Sequence, residues 1–145
     1  MQNFFGPILD IIPKSEVHKL LTDSFFSPGH YGSQMRPTDQ DDLVDREWFI
    51  REVRLEGLVA PARWNELVEW LNSEEDKWGK TRIQALLHPI IMGPDWATAQ
   101  GQEAVIHGYS ILDGWHRTAL AVRSGHTTIK AIVGELDSGY RDNTP

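Results

Sequence analysis

The segment YSILDGWHRTALAVRSG, residues 109–125, contains the change of periodicity that decides the fold. Its first residues are apolar and predict a strand over 109–112. The strand ends at Asp113 and Gly114, a dipeptide that is typical of sharp turns. The small and basic residues that follow predict a helix over 114–124. The chain therefore passes from a strand into a helix within one or two residues.

The sequence on both sides of this segment predicts further strands. HPIIMG, residues 88–93, is a short apolar strand, and AVIHGYSILDG, residues 104–114, is one strand or a bent pair with Gly108 at the bend. Gly125 is expected just after the end of the helix. TTIKAIVGEL, residues 127–136, is rich in β-branched residues and predicts a last strand. The expected fold class is α+β, a small mixed β-sheet with helices packed beside it.

Residues 46–87 predict a strand followed by helices. WFIREVRLEGL, residues 48–58, alternates as a strand does, with a slip near Glu52 that allows a bulge or a break. Pro61 suits the first position of a helix. Apolar residues then recur at the spacing of one buried helical face: Trp64, Leu67, Val68 and Leu71. A second short helix is expected over 82–87.

Residues 1–45 are predicted to form an N-terminal extension packed on the core. Ser15 is expected to cap a brief helix. FFSPGHYGSQMRPTDQDD, residues 25–42, is rich in Gly, Pro, Ser and Asp and predicts a loop. The alternative is that this arm covers an active site or contacts a partner, and three of its residues would then reach the site: His30, Tyr31 and Arg36.

Length and composition narrow the class of protein. A chain of 145 residues is expected to form one domain, with its core in 46–136 and a loose polar tail in 137–145. It contains no cysteine, which excludes disulfides, thiolate metal sites and cysteine nucleophiles. A net charge of -7 argues against strong nucleic-acid binding. No apolar run approaches the roughly 20 residues of a membrane span, and the N-terminus lacks signal-peptide features, so a cytoplasmic protein is expected.

The strand-to-helix turn is the candidate site. The first N–H groups of a helix have no intrahelical acceptor, and the helix dipole is positive there, so phosphates bind well. Gly114 permits close approach of a ligand, His116 offers a donor or acid–base group, and Arg117 offers a planar fork. Asp113 either caps the helix or orients Arg117. The alternative is structural: Arg117 simply pairs with Asp113.

ILDGWHRTALAVRSGHTTIKAIV, residues 111–133, resembles the signature region of the ParB/sulfiredoxin-like superfamily. The resemblance extends more loosely to HPIIMG. It implies a ParB/sulfiredoxin-like fold that binds the phosphates of ATP, ADP or CTP. Gly114, His116 and Arg117 would be the phosphate-binding residues and Asp113 their orienter, while Trp115 would stack on the base or pack under a loop. Mg²⁺ would accompany the nucleotide through phosphate oxygens.

The motif D-G-W-H-R is similar to the forms found in free-serine kinases and in regulators of DNA sulfur modification. The partition proteins place a glutamate where this chain has Trp115, so their type of CTP hydrolysis is not expected. Sulfiredoxin chemistry requires a cysteine and is excluded. About a dozen residues follow Val133, which leaves no room for the helix-turn-helix module of the partition proteins.

Two classes of function remain. The first is a nucleotide-dependent phosphotransferase or NTP hydrolase acting on a small molecule, with His116 and Glu56 as catalytic residues and Glu66 as another candidate general base. The alternative is a nucleotide-responsive regulator or protein-interaction module without turnover, whose partner is another protein or a second copy of the chain. Both glutamates could equally be surface carboxylates. The histidines form no H-x-H or H-E-x-x-H pair, so no dedicated metal site is expected.

Overall fold

The computed structural model describes residues 5–28, 31–78, 88–97 and 108–135. Within these residues five strands form one mixed sheet in the order β1-β2-β5-β3-β4. β2 pairs antiparallel with both β1 and β5, and β3 pairs parallel with β5 and antiparallel with β4. The expected α+β class is confirmed at this level. The strands are β1 Phe5–Ile11, β2 Glu47–Arg54, β3 Ile90–Pro94, β4 Tyr109–Asp113 and β5 Thr128–Glu135.

Helices cover both faces of the sheet. One face packs against two helices that precede β2, and the other packs against the helices that follow β2 and β4. Side chains alternate along each strand, so that Ile132 faces the first group while Ala131 and Val133 face the second. The helices are α1 Lys14–Ser24, α2 Pro37–Val44, α3 Leu55–Leu58, α4 Trp64–Trp78 and α5 Trp115–Arg123.

β5 is the central strand, and its sequence explains why. Val133 lies opposite Phe49 of β2 on one side and Met92 of β3 on the other. A strand that is paired on both edges and covered on both faces needs apolar residues in succession, and AIV at 131–133 supplies them. The predicted strand over 127–136 is therefore confirmed in the middle of the sheet.

The N-terminal segment contributes to the same sheet. β1 pairs with β2, for example Ile11 with Phe49, and forms one edge of the sheet. α1 begins at Lys14 after Pro13, with no side-chain cap, so the predicted cap at Ser15 is wrong: Ser15 already lies inside the helix. The helix start is instead closed by a backbone bond, in which the Glu16 N–H donates to Pro13 O at 2.8 Å.

The predicted loop over 25–42 is wrong in its last part, because α2 begins at Pro37. Proline at the first helical position and Asp39 in the first turn both favour a helix start. The helix is anchored by Leu43, which is fully buried beneath it against the sheet. One buried leucine in a mostly polar helix is a weak periodic signal, so this helix was missed.

The predicted strand over 48–58 ends earlier than expected. β2 pairs residue by residue with β5 from Glu47 to Arg54, whereas its pairing with β1 shifts register opposite Glu52, between the pairs Phe5–Val53 and Ile8–Arg51. α3 then takes the remaining residues, LEGL. The Leu55 N–H donates to Thr127 O at 3.0 Å, which turns the chain away from the sheet, and Leu55 and Leu58 are both buried. Tertiary burial therefore overrides the local alternation.

A buried ion pair joins three strands on the face covered by α3, α4 and α5. Arg51 donates from Nε and Nη2 to the two carboxylate oxygens of Glu135, at 2.6 and 3.2 Å. Its Nη1 donates to Gly6 O at 2.8 Å. The side chains are only 16% and 5% exposed, respectively. One guanidinium thus cross-links β1, β2 and β5.

The sheet is strongly twisted. Phe5 of β1 and Tyr109 of β4 lie on opposite edge strands, yet their rings contact edge to face with centroids 5.1 Å apart. In a flat sheet four strand spacings would separate these strands by about 19 Å. Right-handed twist brings opposite corners of a sheet together across one face. The face covered by α5 is therefore concave and encloses its core.

The predicted C-terminal glycine of α5 is confirmed. Gly125 has φ 80, and its N–H donates to Val122 O at 3.1 Å. The next N–H, that of His126, donates to Ala121 O at 3.0 Å. This pair of bonds is a Schellman motif, which ends the helix and directs the chain into β5.

Some predicted segments lie outside the described residues: the helix over 82–87, the strand residues 104–107 and the polar tail 137–145. Where the structure resumes, Gly108 has φ 84 and accepts a hydrogen bond from Asp95 N at 3.0 Å. β4 follows at once, so the predicted turn at Gly108 is confirmed at its C-terminal side.

Candidate functional site

One residue connects β4 to α5. β4 ends at Asp113, α5 begins at Trp115, and Gly114 between them has φ 115 and ψ 24. A Cβ atom on Gly114 would lie 2.5 Å from Ile90 Cγ2, a distance at which something must shift. The left-handed conformation and the contact with β3 both require glycine here. The junction is thus held against the beginning of β3.

The first turn of α5 presents backbone donors. The Thr118 N–H donates to Gly114 O at 2.9 Å and starts the helical ladder. The helix therefore offers no acceptor to the N–H groups of Trp115 and Arg117, which precede Thr118 in the chain. No side chain caps the helix, so of the two roles predicted for Asp113, that of a cap is not observed. The donors and the helix dipole favour an anion at this end.

Arg117 is tied to its surroundings. Its Nη2 donates to Asp113 Oδ2 at 2.8 Å, and its Nη1 donates to Pro89 O at 2.6 Å. The pairing expected from the structural alternative is therefore present, and the role of Asp113 as orienter of Arg117 is observed with it. The side chains of Arg117 and Asp113 are 18% and 30% exposed, respectively. The guanidinium holds β4, α5 and the segment before β3 together.

His116 and Trp115 leave the first turn of α5 toward different neighbours. The His116 ring lies against Trp70 of α4, with centroids 4.4 Å apart and planes inclined by 38°. Trp115 packs against the core cluster that contains Ile90 and Leu58. Trp115 therefore matches the packing alternative, and the imidazole of His116 is the aromatic ring that the site shares with α4.

Glu56 lies at the same end of the sheet as the turn, but it follows a different strand. β2 and β4 run in the same direction, so their C-terminal ends lie at the same end of the sheet. β5 and β3 lie between them, and in a flat sheet this spacing would be about 14 Å. Glu56 follows β2 on α3 and is paired with Arg54. The structure therefore brings Asp113 to Arg117 and does not bring Glu56 into contact with them.

The other predicted contributors are placed elsewhere. Glu66 of α4 is exposed and pairs with Arg63 at 3.0 Å. Arg36 precedes α2, on the opposite face of the sheet, and pairs with Asp39 at 3.2 Å. His30 and the side chain of Tyr31 lie outside the described residues. In the part of the chain that the structure covers, the turn carries the predicted side chains of Asp113, Trp115, His116 and Arg117, of which Asp113 and Arg117 are in contact.

Trp70 is the site residue that the sequence did not reveal. It lies off the buried stripe of α4 and is 37% exposed, although tryptophan is the largest apolar side chain. A large aromatic residue outside the buried stripe is itself a signal of a second role, and the contact with His116 shows what that neighbour is. The remaining neighbour, Pro89 O, is a backbone atom, which residue type does not reveal.

The described residues contain neither a cluster of metal ligands nor a helix that could span a membrane. Across 5–28, 31–78, 88–97 and 108–135, no three His, Asp or Glu side chains group together as a metal site would require. None of the helices in those ranges combines the length and the apolar character needed to cross a bilayer.

Comparison with known protein families, with curated proteins and with solved structures gave no match to this chain.

Proposed function

We propose that the turn 113–117 binds the phosphate groups of a nucleotide such as ATP, ADP or CTP, with Mg²⁺ bridging the phosphate oxygens when it is present. One observation carries the proposal: the single-residue junction at Gly114 leaves the first donors of α5 at a strand end, with a histidine and an arginine on the same helical turn. Backbone N–H groups, a positive helix end and cationic or donor side chains are what a phosphate requires.

The partial exposure of Asp113 supports the same proposal. Its carboxylate is the anion that Arg117 holds, and at 30% exposure water can reach it. A phosphate oxygen can therefore replace the carboxylate as the partner of Nη2 without leaving a buried charge behind. Arg117 would keep its bond to Pro89 O and remain oriented during the exchange. The resemblance of residues 111–133 to ParB/sulfiredoxin-like domains is a second, separate support.

Binding without turnover is the form of the function that the geometry supports best. Phosphoryl transfer needs a base or a group that positions the acceptor. Both glutamates predicted for this role are paired with arginines, and Asp113 is paired with Arg117. A nucleotide-responsive regulator or interaction module requires none of these carboxylates.

A phosphotransferase or NTP hydrolase acting on a small molecule is the second candidate. The position of Glu56 favours this candidate, because the helix that carries Glu56 begins at the same end of the sheet as the turn. An extended nucleoside triphosphate and its acceptor could span the spacing of about 14 Å between the C-terminal ends of β2 and β4. In this candidate His116 would act as the acid–base group nearest the phosphates.

Calorimetric titration tests the binding proposal. Wild-type protein should be titrated with ATP, ADP, CTP and GTP, with and without Mg²⁺, beside His116→Ala and the control Arg123→Ala. Losing a hydrogen bond to a charged group costs about 1.5–3 kcal/mol, so His116→Ala should weaken binding roughly ten- to a hundredfold. Arg123 lies at the other end of α5, where it donates to Asn72 Oδ1 at 2.7 Å, and its removal should leave affinity unchanged. Wild-type protein that binds none of the four nucleotides at millimolar concentration would show the proposal to be wrong.

A turnover assay separates the two candidates. Release of phosphate or transfer to small hydroxyl acceptors should be followed for the wild type and for Glu56→Gln. The binding module predicts no multiple turnover in either protein. Turnover that Glu56→Gln abolishes, with nucleotide affinity retained, would establish the enzyme instead.

A further inference from the structure

Trp70 is not among the residues that form the buried contact between α4 and α5. The buried stripe of α4 consists of other residues: Leu67 and Leu71 pack against Ala119 and Leu120 of α5. Trp70 lies beside this stripe, and its ring meets the His116 ring at a centroid distance of 4.4 Å. The contact between the indole and the imidazole is therefore the interaction of Trp70 that involves the candidate site.

We infer that Trp70 is a positioning residue of the phosphate site, which holds the His116 imidazole in one orientation on the first turn of α5. The inference rests on the proposed phosphate binding. Trp70 acts through His116 and is given no contact with the ligand.

The helix pair makes Trp70 a firm support. Leu71, the next residue of α4, is buried against Ala119 and Leu120 of α5. The backbone that carries Trp70 is therefore fixed to the helix that carries His116. An indole on such a backbone limits the rotamers of the imidazole before any ligand arrives.

This restriction has a measurable consequence for affinity. A side chain that is already ordered in the free protein loses less conformational freedom when it binds. Immobilising one side chain of this kind typically changes affinity about three- to tenfold. Loss of the Trp70 ring should therefore weaken phosphate binding by about this factor, even though the donor on His116 is still present.

NMR tests the stack in the unliganded protein. Protons above the face of an indole are shielded, so the ring protons of His116 should lie upfield of those of the other five histidines, out of six in the chain. Trp70→Leu should return only the His116 resonances to the ordinary range, and Trp70→Phe should retain part of the shift. Unshielded His116 protons in the folded wild-type protein would overturn the inference. Thermal melts recorded beside these spectra verify that the variants are folded.

A double-mutant cycle in ADP or ATP binding tests the positioning. Trp70→Leu should weaken binding about three- to tenfold in the wild type and have no further effect in His116→Ala, since both variants remove the same interaction. Trp70→Phe should restore most of the affinity. The matched control is Trp96→Leu. Trp96 is 43% exposed and follows β3 at the end of the sheet opposite to the turn, so its loss should leave nucleotide affinity unchanged.

The outcomes distinguish the inference from the proposed function. Wild-type protein that binds no nucleotide would refute the proposed function, and the inference would fall with it. Wild-type binding with no loss in Trp70→Leu would overturn the inference alone. An equal loss in both backgrounds would also overturn it, because Trp70 would then contact the ligand directly.

Discussion

Two arginines hold this fold, and they differ in how completely their carboxylates are enclosed. Arg51 donates from all three nitrogens, takes both oxygens of Glu135, and leaves that carboxylate 5% exposed. Arg117 donates to one oxygen of Asp113 and to one backbone oxygen, and Asp113 remains 30% exposed. The carboxylate of the first pair is enclosed, whereas the carboxylate of the second is open to solvent.

The difference teaches where a ligand can enter. Exchanging the partner of Arg51 would take the guanidinium away from a carboxylate that is only 5% exposed, which is strongly unfavourable. Exchanging the partner of Arg117 leaves Asp113 where water can hydrate it. The same chemical pair is therefore a cross-link in the middle of the sheet and an exchangeable contact at the strand-to-helix turn.

Arg51→Met gives the largest expected effect. Methionine keeps much of the apolar stem but removes the guanidinium from the buried Glu135, so the free energy of unfolding should fall by about 3–5 kcal/mol. Urea denaturation followed by circular dichroism measures it. The double variant Arg51→Met, Glu135→Leu should recover most of this loss, because a buried pair can be replaced by apolar residues. A loss below about 1 kcal/mol in the single variant would contradict the comparison.

Gly114→Ala should be the next most damaging change. It places a Cβ 2.5 Å from Ile90 Cγ2 and forces a non-glycine residue to φ 115. Backbone strain and overpacking together should cost about 2–4 kcal/mol of unfolding free energy. Gly108→Ala is the control, since it shares the positive φ but has no atom within 4 Å of the added Cβ, and it should cost only the strain. Equal losses in both variants would contradict the packing of the turn on β3.

Arg117→Met is the matched counterpart of Arg51→Met. It removes the bonds to Asp113 and Pro89 O, but Asp113 can regain water. The free energy of unfolding should fall by about 1–2 kcal/mol, less than for Arg51→Met. The same urea titration measures both. A loss as large as that of Arg51→Met would mean that the turn is as closed as the middle of the sheet.

Asp113→Asn should have the smallest effect on stability, below about 1 kcal/mol, because an amide can still accept from Arg117. Its effect on binding is the informative one. Removing the competing negative charge should tighten nucleotide binding, measured by the same calorimetric titration. Weaker binding in a folded Asp113→Asn protein would contradict the exchange of Asp113 for phosphate.

Local patterns predicted much of the fold. The helix over 115–123, its glycine ends and the strand at β5 follow from residues within one segment, and all were found in the sequence. α2 was missed although Pro37 and Asp39 marked its start, since a single buried leucine gives almost no periodicity. α3 was missed because the reason for its turn, the bond from Leu55 to Thr127, joins residues 72 positions apart.

The candidate site divides in the same way. Asp113 ends β4 and Arg117 lies four positions later on the first turn of α5, so their pairing could be foreseen from the sequence. The contact between Trp70 and His116, like that between Arg51 and Glu135, spans dozens of residues and depends on how helices and strands pack. Nothing in the local sequence indicates such a contact.

The position of β5 has a consequence for synthesis on the ribosome. β5 lies between β2 and β3, yet it is the last of the five described strands to be made. At 5–20 residues per second, about 4–15 s pass between completion of β2 and emergence of β5. During this interval β1 can pair with β2, and later β3 with β4, only as two-stranded units, and pairs of strands are marginally stable in water. Their apolar faces are then available to chaperones, and a nascent chain stalled before Thr128 should remain bound to them.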